Sequence, residues 1–352
     1  MAEKAEALAT ATALLSAFQA AGATRVEADI LQPAETLLDL YGEDIRTRAY
    51  VTNDPVRGEA MLRPDFTVPV VQMHEAAGGG EARYTYSGEV FRMQEEGSDR
   101  PTEYVQVGFE RFGGPPAQAD AEVFGLFHSL LAPRHFVPVI GDIGLIRAAI
   151  SGLTITDRRK AALLRHLWRP ARFRSLLKRF GAPLEVPNAS VSPDSPEIGL
   201  RTRAEVDRRL AALEEEAAQP PISAEETAML ETVLALREAA GNALQQLADI
   251  AVDLTTLRPA VRTFEERLSA LSAKGIQADR LPFEASYGRT SMEYYDGFVF
   301  GFADPARPGL PPVATGGRYN ALTRALGGDD ATGAVGGVIR PGLLIELGGT
   351  WR

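Results

Sequence analysis

In ARYTYSGEVFRM (82–93) and YVQVGFERF (104–112), apolar and polar residues alternate on either side of a polar loop, EEGSDRPTE (95–103). This pattern predicts two antiparallel strands joined as a hairpin. Alternation puts Tyr84, Tyr86, Gly88, Val90 and Arg92 on one face of the first strand. On the second strand Tyr104, Gln106, Gly108, Glu110 and Phe112 share a face, and Val105, Val107 and Phe109 share the other. The apolar triplet should pack on helices. Gln106 and Glu110 then point the other way, with Gly108 between them. Glycine weakens a strand unless something must approach its backbone closely. Two readings follow: a ligand-binding floor lined by an amide and a carboxylate, or the solvated outer face of a sheet.

Outward from the hairpin, residues 5–21 have helical spacing. Val26, Ala28 and Ile30 alternate as in a strand that Pro33 ends, and a short helix fits 34–41. A helix is predicted near 119–131 and a strand at 137–146. From about 148 to 275 apolar residues recur every three or four positions. LRTRAEVDRRLAALEEEA (200–217) and AEETAMLETVLALREAAGNALQQLADIA (224–251) are strong helix patterns, and prolines at 183–196 and 220–221 mark joints between helices. Strand-like segments return at 283–303 and 334–347. The expected architecture is α+β, an antiparallel sheet flanked by helices. Its core spans 1–147 and 281–352, with a helical insertion at 148–280. The regular alternation of strands and helices that a doubly wound parallel sheet needs is missing.

The 352 residues exceed what one core usually holds. With 37 basic and 47 acidic side chains the net charge is −10, which does not suit broad contact with nucleic acid. No cysteine is present, so disulfides and thiolate metal sites are out, and the four histidines form no His-x-x-x-His pair. No metal or cofactor is expected. The N-terminus carries Glu3 and Glu6 and does not read as a signal peptide. No stretch reaches the roughly 18 apolar residues of a membrane span. A cytoplasmic protein is expected.

Three further segments have two readings each. In LRPDFTVPV (62–70), Asp65 and Thr67 either cap a helix or belong to a site. GGRYN (316–320) carries Arg318 and Tyr319 on a glycine-rich turn, which is weak on its own. Tyr294 and Tyr295 head a strand-like run and could be plain packing.

In order along the chain, these segments resemble the catalytic core of histidyl-tRNA synthetase and its relatives, a class II aminoacyl-tRNA synthetase core. Pro33 sits where the first class II motif has its dimer-interface proline. LRPDFT is similar to Leu-Arg-Pro-Glu-Gly-Thr, and 86–113 resembles the second motif. ADAEVFGL (119–126), SMEYYDGFVF (291–300) and TGGRYNAL (315–322) resemble three further segments. The resemblance covers roughly 5–145 and 283–347. It implies that Asp65, Thr67 and Gln106 hold the ammonium of histidine, that Glu110 and Tyr295 hold the imidazole, and that Arg92 is the motif arginine for an α-phosphate. Tyr294 belongs to the same ligand set, and Gly108, Arg318 and Tyr319 are expected to support the pocket.

The ATP half departs from the synthetase pattern. Thr290 stands where the synthetase has an arginine, with Arg289 one position off, which in a strand is the opposite face. The Glu-Arg of the third motif is replaced by Gly342 and Leu343, with Arg340 lying earlier. The chain also reaches Arg352 without room for an anticodon-binding domain. Together these features resemble the regulatory subunit of ATP phosphoribosyltransferase. The resemblance implies a non-catalytic subunit that joins a short-form catalytic subunit, four copies of each, in the first step of histidine biosynthesis, with histidine as inhibitory effector. A divergent enzyme forming histidyl-adenylate is the alternative. The basic stretch RRKAALLRHLWRPARFRSLLKRF (158–180) stays open between a solvated face, a docking surface and an RNA-binding remnant.

Overall fold

In the computed structural model, Ala82–Phe91 and Glu103–Phe112 form the hairpin, with Tyr84 opposite Glu110, Tyr86 opposite Gly108 and Gly88 opposite Gln106. The Arg92 amide continues the ladder, donating to Thr102 O at 2.8 Å. Arg92 therefore shares the face of Gln106 and Glu110. The structure describes residues 3–41, 45–46, 48–56, 58–98, 100–183, 201–289, 294–328 and 330–348. Thr290 and most of the proline joints at 183–196 lie outside the described residues.

Along the chain, helix α1 (Lys4–Ala20) precedes strands β1 (Thr24–Arg25) and β2 (Leu31–Pro33) and helix α2 (Ala34–Tyr41). Strands β3 (Val51–Asp54) and β4 (Gly58–Leu62), helix α3 (Thr67–Ala76), the hairpin β5 (Ala82–Phe91) and β6 (Glu103–Phe112), and helix α4 (Pro116–Leu131) follow. Then come β7 (Val137–Asp142), α5 (Ile143–Gly152), α6 (Asp157–Arg165), α7 (Pro170–Phe180), α8 (Arg203–Ala217) and α9 (Ala224–Ala235). The remaining elements are β8 (Arg237–Ala239), α10 (Ala240–Asp253), α11 (Arg258–Ser272), β9 (Pro282–Glu284), β10 (Phe298–Ala303), β11 (Ala314–Arg318), α12 (Asn320–Gly327), β12 (Ala334–Ile339) and α13 (Pro341–Glu346). Among these residues, one sheet runs β1-β5-β6-β12-β11-β10-β7-β9-β8 and a smaller one β2-β4-β3. β1 with β5 and β7 with β9 are parallel, so the large sheet is mixed. No described helix is long and apolar enough to cross a membrane.

Several elements differ from the sequence expectation, each for a local or tertiary reason. The run around Val26 splits into β1 and β2, which belong to different sheets. The strand expected through 146 stops at Asp142, whose side chain accepts from Gly144 N at 2.7 Å and starts α5. Among the described residues of 283–303, strand is found at the two ends, with a turn at 285–289. The segment 334–347 is strand to Ile339 and helix from Pro341, where a proline is tolerated in the first turn. The helix pattern at 224–251 breaks at Arg237–Ala239, because that stretch pairs with Pro282–Glu284 and extends the sheet. The region read as a helical insertion thus contributes a strand to the main sheet.

Both faces of the hairpin are covered. On one, Phe18 of α1 lies 5.5 Å from Phe109 and 5.4 Å from Phe127 of α4. On the other, Phe66 stacks on Tyr86 at 4.4 Å and His74 of α3 on Phe112 at 3.9 Å. The face bearing Gln106 and Glu110 is therefore an interior, and the solvated-face reading is excluded.

A buried ion cluster ties α11 to the sheet. Arg267 donates to Asp120 of α4 at 2.8 Å and to Asp142 at 2.7 Å, and Arg318 donates to Asp120 at 2.6 Å. Two cations and two anions balance, and each remaining bond to a neutral group orients one of them. Removing one member leaves a buried charge without its partner. Arg267→Met is expected to lower stability by about 3–5 kcal/mol. The urea midpoint should fall at unchanged slope. Breaking the exposed Arg25–Glu27 pair should cost under about 1 kcal/mol.

Candidate functional site

Three strands and two turns converge on Glu110. Its carboxylate accepts the Tyr86 hydroxyl at 2.7 Å, the Tyr319 hydroxyl at 2.6 Å and the Thr67 hydroxyl at 3.4 Å. Glu110 is 1% exposed. It fits there because its neighbour on β12 is Gly336: a methyl at that position would lie 1.5 Å from Glu110 Oε2. Burial, and after it the nearby Asp65, push the Glu110 carboxyl up to about 7, against the hydroxyl donors that pull it down. Asp65 is also raised by burial, which outweighs the nearby Arg92 and the amides of Val68 and Thr67.

Asp65 stands one residue before Phe66, the N-cap of α3. Its Oδ1 accepts the Thr67 amide at 3.2 Å at the start of α3, and the same side chain lines the cavity. Asp65, Thr67, Arg92, Gln106, Glu110, Tyr294, Tyr295 and Tyr319 surround that one cavity. The free space among them is about 10 Å³, room for a single water. The Gln106 amide is buried there, and among the described residues neither its nitrogen nor its oxygen has a partner. A buried amide without bonds is costly, so this pair of atoms points to something that binds between them and the two carboxylates.

Two of the residues expected as pocket support act from behind. The space over Gly108 holds the Tyr86 ring, since a methyl on Gly108 would lie 2.1 Å from it. The close approach that the glycine required is made by a side chain of the protein itself. Arg318 does not line the cavity; it is bonded to Asp120, and it holds the turn that presents Tyr319.

Sequence reasoning missed three contributors. Tyr86 was placed on the correct face, and its position opposite Gly108 is the signal that could have singled it out. Gly336 required knowledge of which strand lies beside β6. Arg340, displaced along the chain from the third-motif arginine, nevertheless reaches the same cavity. Its half-buried guanidinium donates to Pro312 O at 2.7 Å and Thr315 Oγ1 at 3.3 Å. Arg289 sits in a turn, so strand alternation does not govern it. Its Nε donates to Leu167 O at 2.9 Å. The cavity and a cleft of about 1560 Å³ share Arg92 and Arg340 as lining residues, so the two lie side by side.

A family model described as histidyl-tRNA synthetase matches residues 1–258 and 200–340. The ATP phosphoribosyltransferase regulatory subunit of Allorhizobium ampelinum is 33% identical, over 93% of this chain and 94% of that protein. The one from Mesorhizobium japonicum is 31% identical over the same shares. Among solved structures, an ATP phosphoribosyltransferase regulatory subunit/histidyl-tRNA synthetase from Bacillus halodurans superposes with a TM-score of 0.71 at 20% identity, covering 99% of this chain and 81% of that one. A histidine–tRNA ligase subunit from Alicyclobacillus acidocaldarius gives 0.60 at 24%, covering 97% and 92%. At those identities the two structures establish the fold, the mixed sheet of a class II synthetase core flanked by helices. The long matches above 30% establish more: the chain belongs to the family of ATP phosphoribosyltransferase regulatory subunits, with a regulatory role in histidine biosynthesis.

Proposed function

We propose that the cavity around Glu110 binds free histidine and that the chain, itself without catalytic activity, thereby conveys feedback inhibition to a short-form ATP phosphoribosyltransferase catalytic subunit in the cytoplasm. The Gln106 amide, without a partner among the described residues in a cavity that two buried carboxylates also line, carries this reading. A zwitterion with a basic ring matches the polar groups. Asp65, Thr67 and Gln106 suit an ammonium, Glu110 with Tyr294 and Tyr295 suits an imidazole N–H, and Arg92 and Arg340 offer cations to a carboxylate. Entry requires the tyrosines to move, because the free space is that of one water. Inhibition further requires that histidine bind the inhibited state of the assembly more tightly than the active one. A homodimer formed through the region of Pro33, within an assembly of four regulatory and four catalytic chains, is the arrangement we favour.

A second reading has its own observation. Arg92, Arg289 and Arg340 all line the cleft beside the cavity, so cations are present where a synthetase places ATP. If the chain forms histidyl-adenylate, histidine-dependent exchange between ATP and pyrophosphate will be measurable. The regulatory reading expects none.

Two outcomes test the proposal. Histidine at about 100 times its dissociation constant should stabilise the chain by about 2.7 kcal/mol, or about 3–4 °C in melting temperature for this length. Histidinol and ATP serve as parallel ligands. Gly336→Ala, which drives a methyl into the Glu110 carboxylate, should abolish the histidine shift. An undiminished shift in that variant, or none in the parent, sinks the proposal.

The second outcome concerns pH. Below pH 4.5 the Glu110 carboxyl is protonated both folded and unfolded. Between 4.5 and about 7 the folded chain holds a proton that the unfolded chain has lost, so stability declines as pH rises. The decline from this group totals about 3 kcal/mol above pH 7. In Glu110→Gln the ligand-free protein should lose most of that slope, read as urea midpoints from pH 5 to 8.

A further inference from the structure

Tyr294, Tyr295 and Tyr319, which line the cavity, are carried by two separate turns. The first pair lies in the turn before β10, and Tyr319 lies in the turn between β11 and α12. Their rings meet edge to face, with Tyr294 4.8 Å from Tyr295 and 6.0 Å from Tyr319. Edge-to-face rings are satisfied over a range of separations, so these contacts alone do not fix where each hydroxyl lies.

Asp296, the residue after the tyrosine pair, joins the two turns. Its amide donates to Arg318 O at 2.9 Å, and its Oδ1 accepts the Asn320 amide at 2.9 Å. These bonds bracket Tyr319, one on each side. Oδ2 accepts from Arg324 at 3.4 Å, one turn further along α12. The Asp296 side chain is 10% exposed and does not itself line the cavity.

A local shortage explains why a carboxylate stands there. The N-cap of α12 is Tyr319, whose side chain gives the helix no cap bond, and the first turn holds no acidic residue. The free amides at that end need a partner from elsewhere. Asp296 supplies it from 24 residues upstream, and the helix dipole favours a carboxylate in that place. Gly297 lets the turns approach, since a methyl there would lie 3.2 Å from Arg318 Cδ. On the opposite side, the Tyr319 amide donates to Ala334 O at 3.0 Å and the Asn320 side chain accepts the Ala334 amide at 3.0 Å. The main chain at Tyr319 is thus held between β12 and Asp296. Capping accounts for the bond to Asn320; it does not account for the second bond, from the Asp296 amide to Arg318.

We propose that Asp296 is a positioning residue for the cavity: it fastens the Tyr294–Tyr295 turn to the Tyr319 turn, so that the three rings form one wall and move together when a ligand enters. The proposal rests on the reading of the cavity as a histidine site. The Tyr319 hydroxyl donates to Glu110 at 2.6 Å, so a shift of its turn withdraws a donor from the carboxylate assigned to the imidazole.

The test compares the full chain with Asp296→Ala, Asp296→Asn and Ser223→Ala. Ser223 caps α9 by accepting the Glu226 amide at 3.1 Å and does not line the cavity, so its variant reports the loss of a cap alone. Asparagine keeps an oxygen that can accept the Asn320 amide. Both alanine variants should melt at a lower temperature than the parent. In calorimetric titration, histidine should bind Asp296→Ala at least about tenfold more weakly, and Asp296→Asn and Ser223→Ala within about threefold of the parent. Asp296→Glu, one methylene longer, should weaken binding in the same direction, and it takes the place of the alanine variant if that chain does not fold. Without ligand, amide hydrogen exchange should become faster in 294–303 and 314–327 together in Asp296→Ala, and in neither segment in Ser223→Ala. The proposal is overturned if Asp296→Ala binds histidine as the parent does, or if exchange in either segment is unchanged. If the parent binds no histidine, the histidine reading falls, and exchange alone decides whether Asp296 holds the two turns together.

Discussion

Glu110 is a carboxylate placed inside the protein, and much of the surrounding structure follows from accommodating it. Burying an ionisable group in the middle of a sheet is unfavourable unless donors meet it. Hydroxyls from β5, from the start of α3 and from the turn after β11 do so. Each of those elements must then be held at hydrogen-bond distance from one point. Gly336 on β12 leaves the volume the carboxylate occupies, and Gly108 leaves the volume of the tyrosine that bonds to it. The glycines of this sheet are thus matched to particular side chains across the strands.

The ion cluster of Asp120, Asp142, Arg267 and Arg318 extends this constraint into the helical region. Arg318 precedes the tyrosine that meets Glu110, and Arg267 belongs to α11, which lies in the stretch between the two parts of the synthetase-like core. A displacement of α11 and the position of Tyr319 are linked through Asp120, which bonds to both arginines. Such a contiguous set of bonds is a physical connection between the cavity and the helices; coupling in the thermodynamic sense needs two states that it biases.

Arg289 and Arg340, both offset in sequence from the synthetase motif positions, line the cleft beside the cavity. Arg340 comes from the end of β12 and still reaches the cavity, while Arg289 has turned toward α7 and left the strand geometry altogether. Loss of a motif residue therefore does not equal loss of a cation from the cleft. Transition-state stabilisation depends on where such cations are placed as well as on their presence.

From the sequence alone, alternation in 82–93 and 104–112 determined the hairpin and which residues share a face within each strand; the register that brings Arg92 to the face of Gln106 and Glu110 came from the structure. The hairpin and the faces are properties of neighbours along a strand and across a short loop. The helices after Thr202 and Ser223 were equally readable, since each begins with a side chain that caps its own first turn. Only the tertiary structure decided what covers the polar face, which helix pattern yields to a strand at Arg237–Ala239, and that Tyr86, Gly336 and Arg340 belong to the site. Those outcomes depend on residues up to a few hundred positions apart, such as Glu110 and Gly336. Periodicity reports which way a side chain points; it carries no information about what lies opposite, because that is set by the packing of elements distant in the chain.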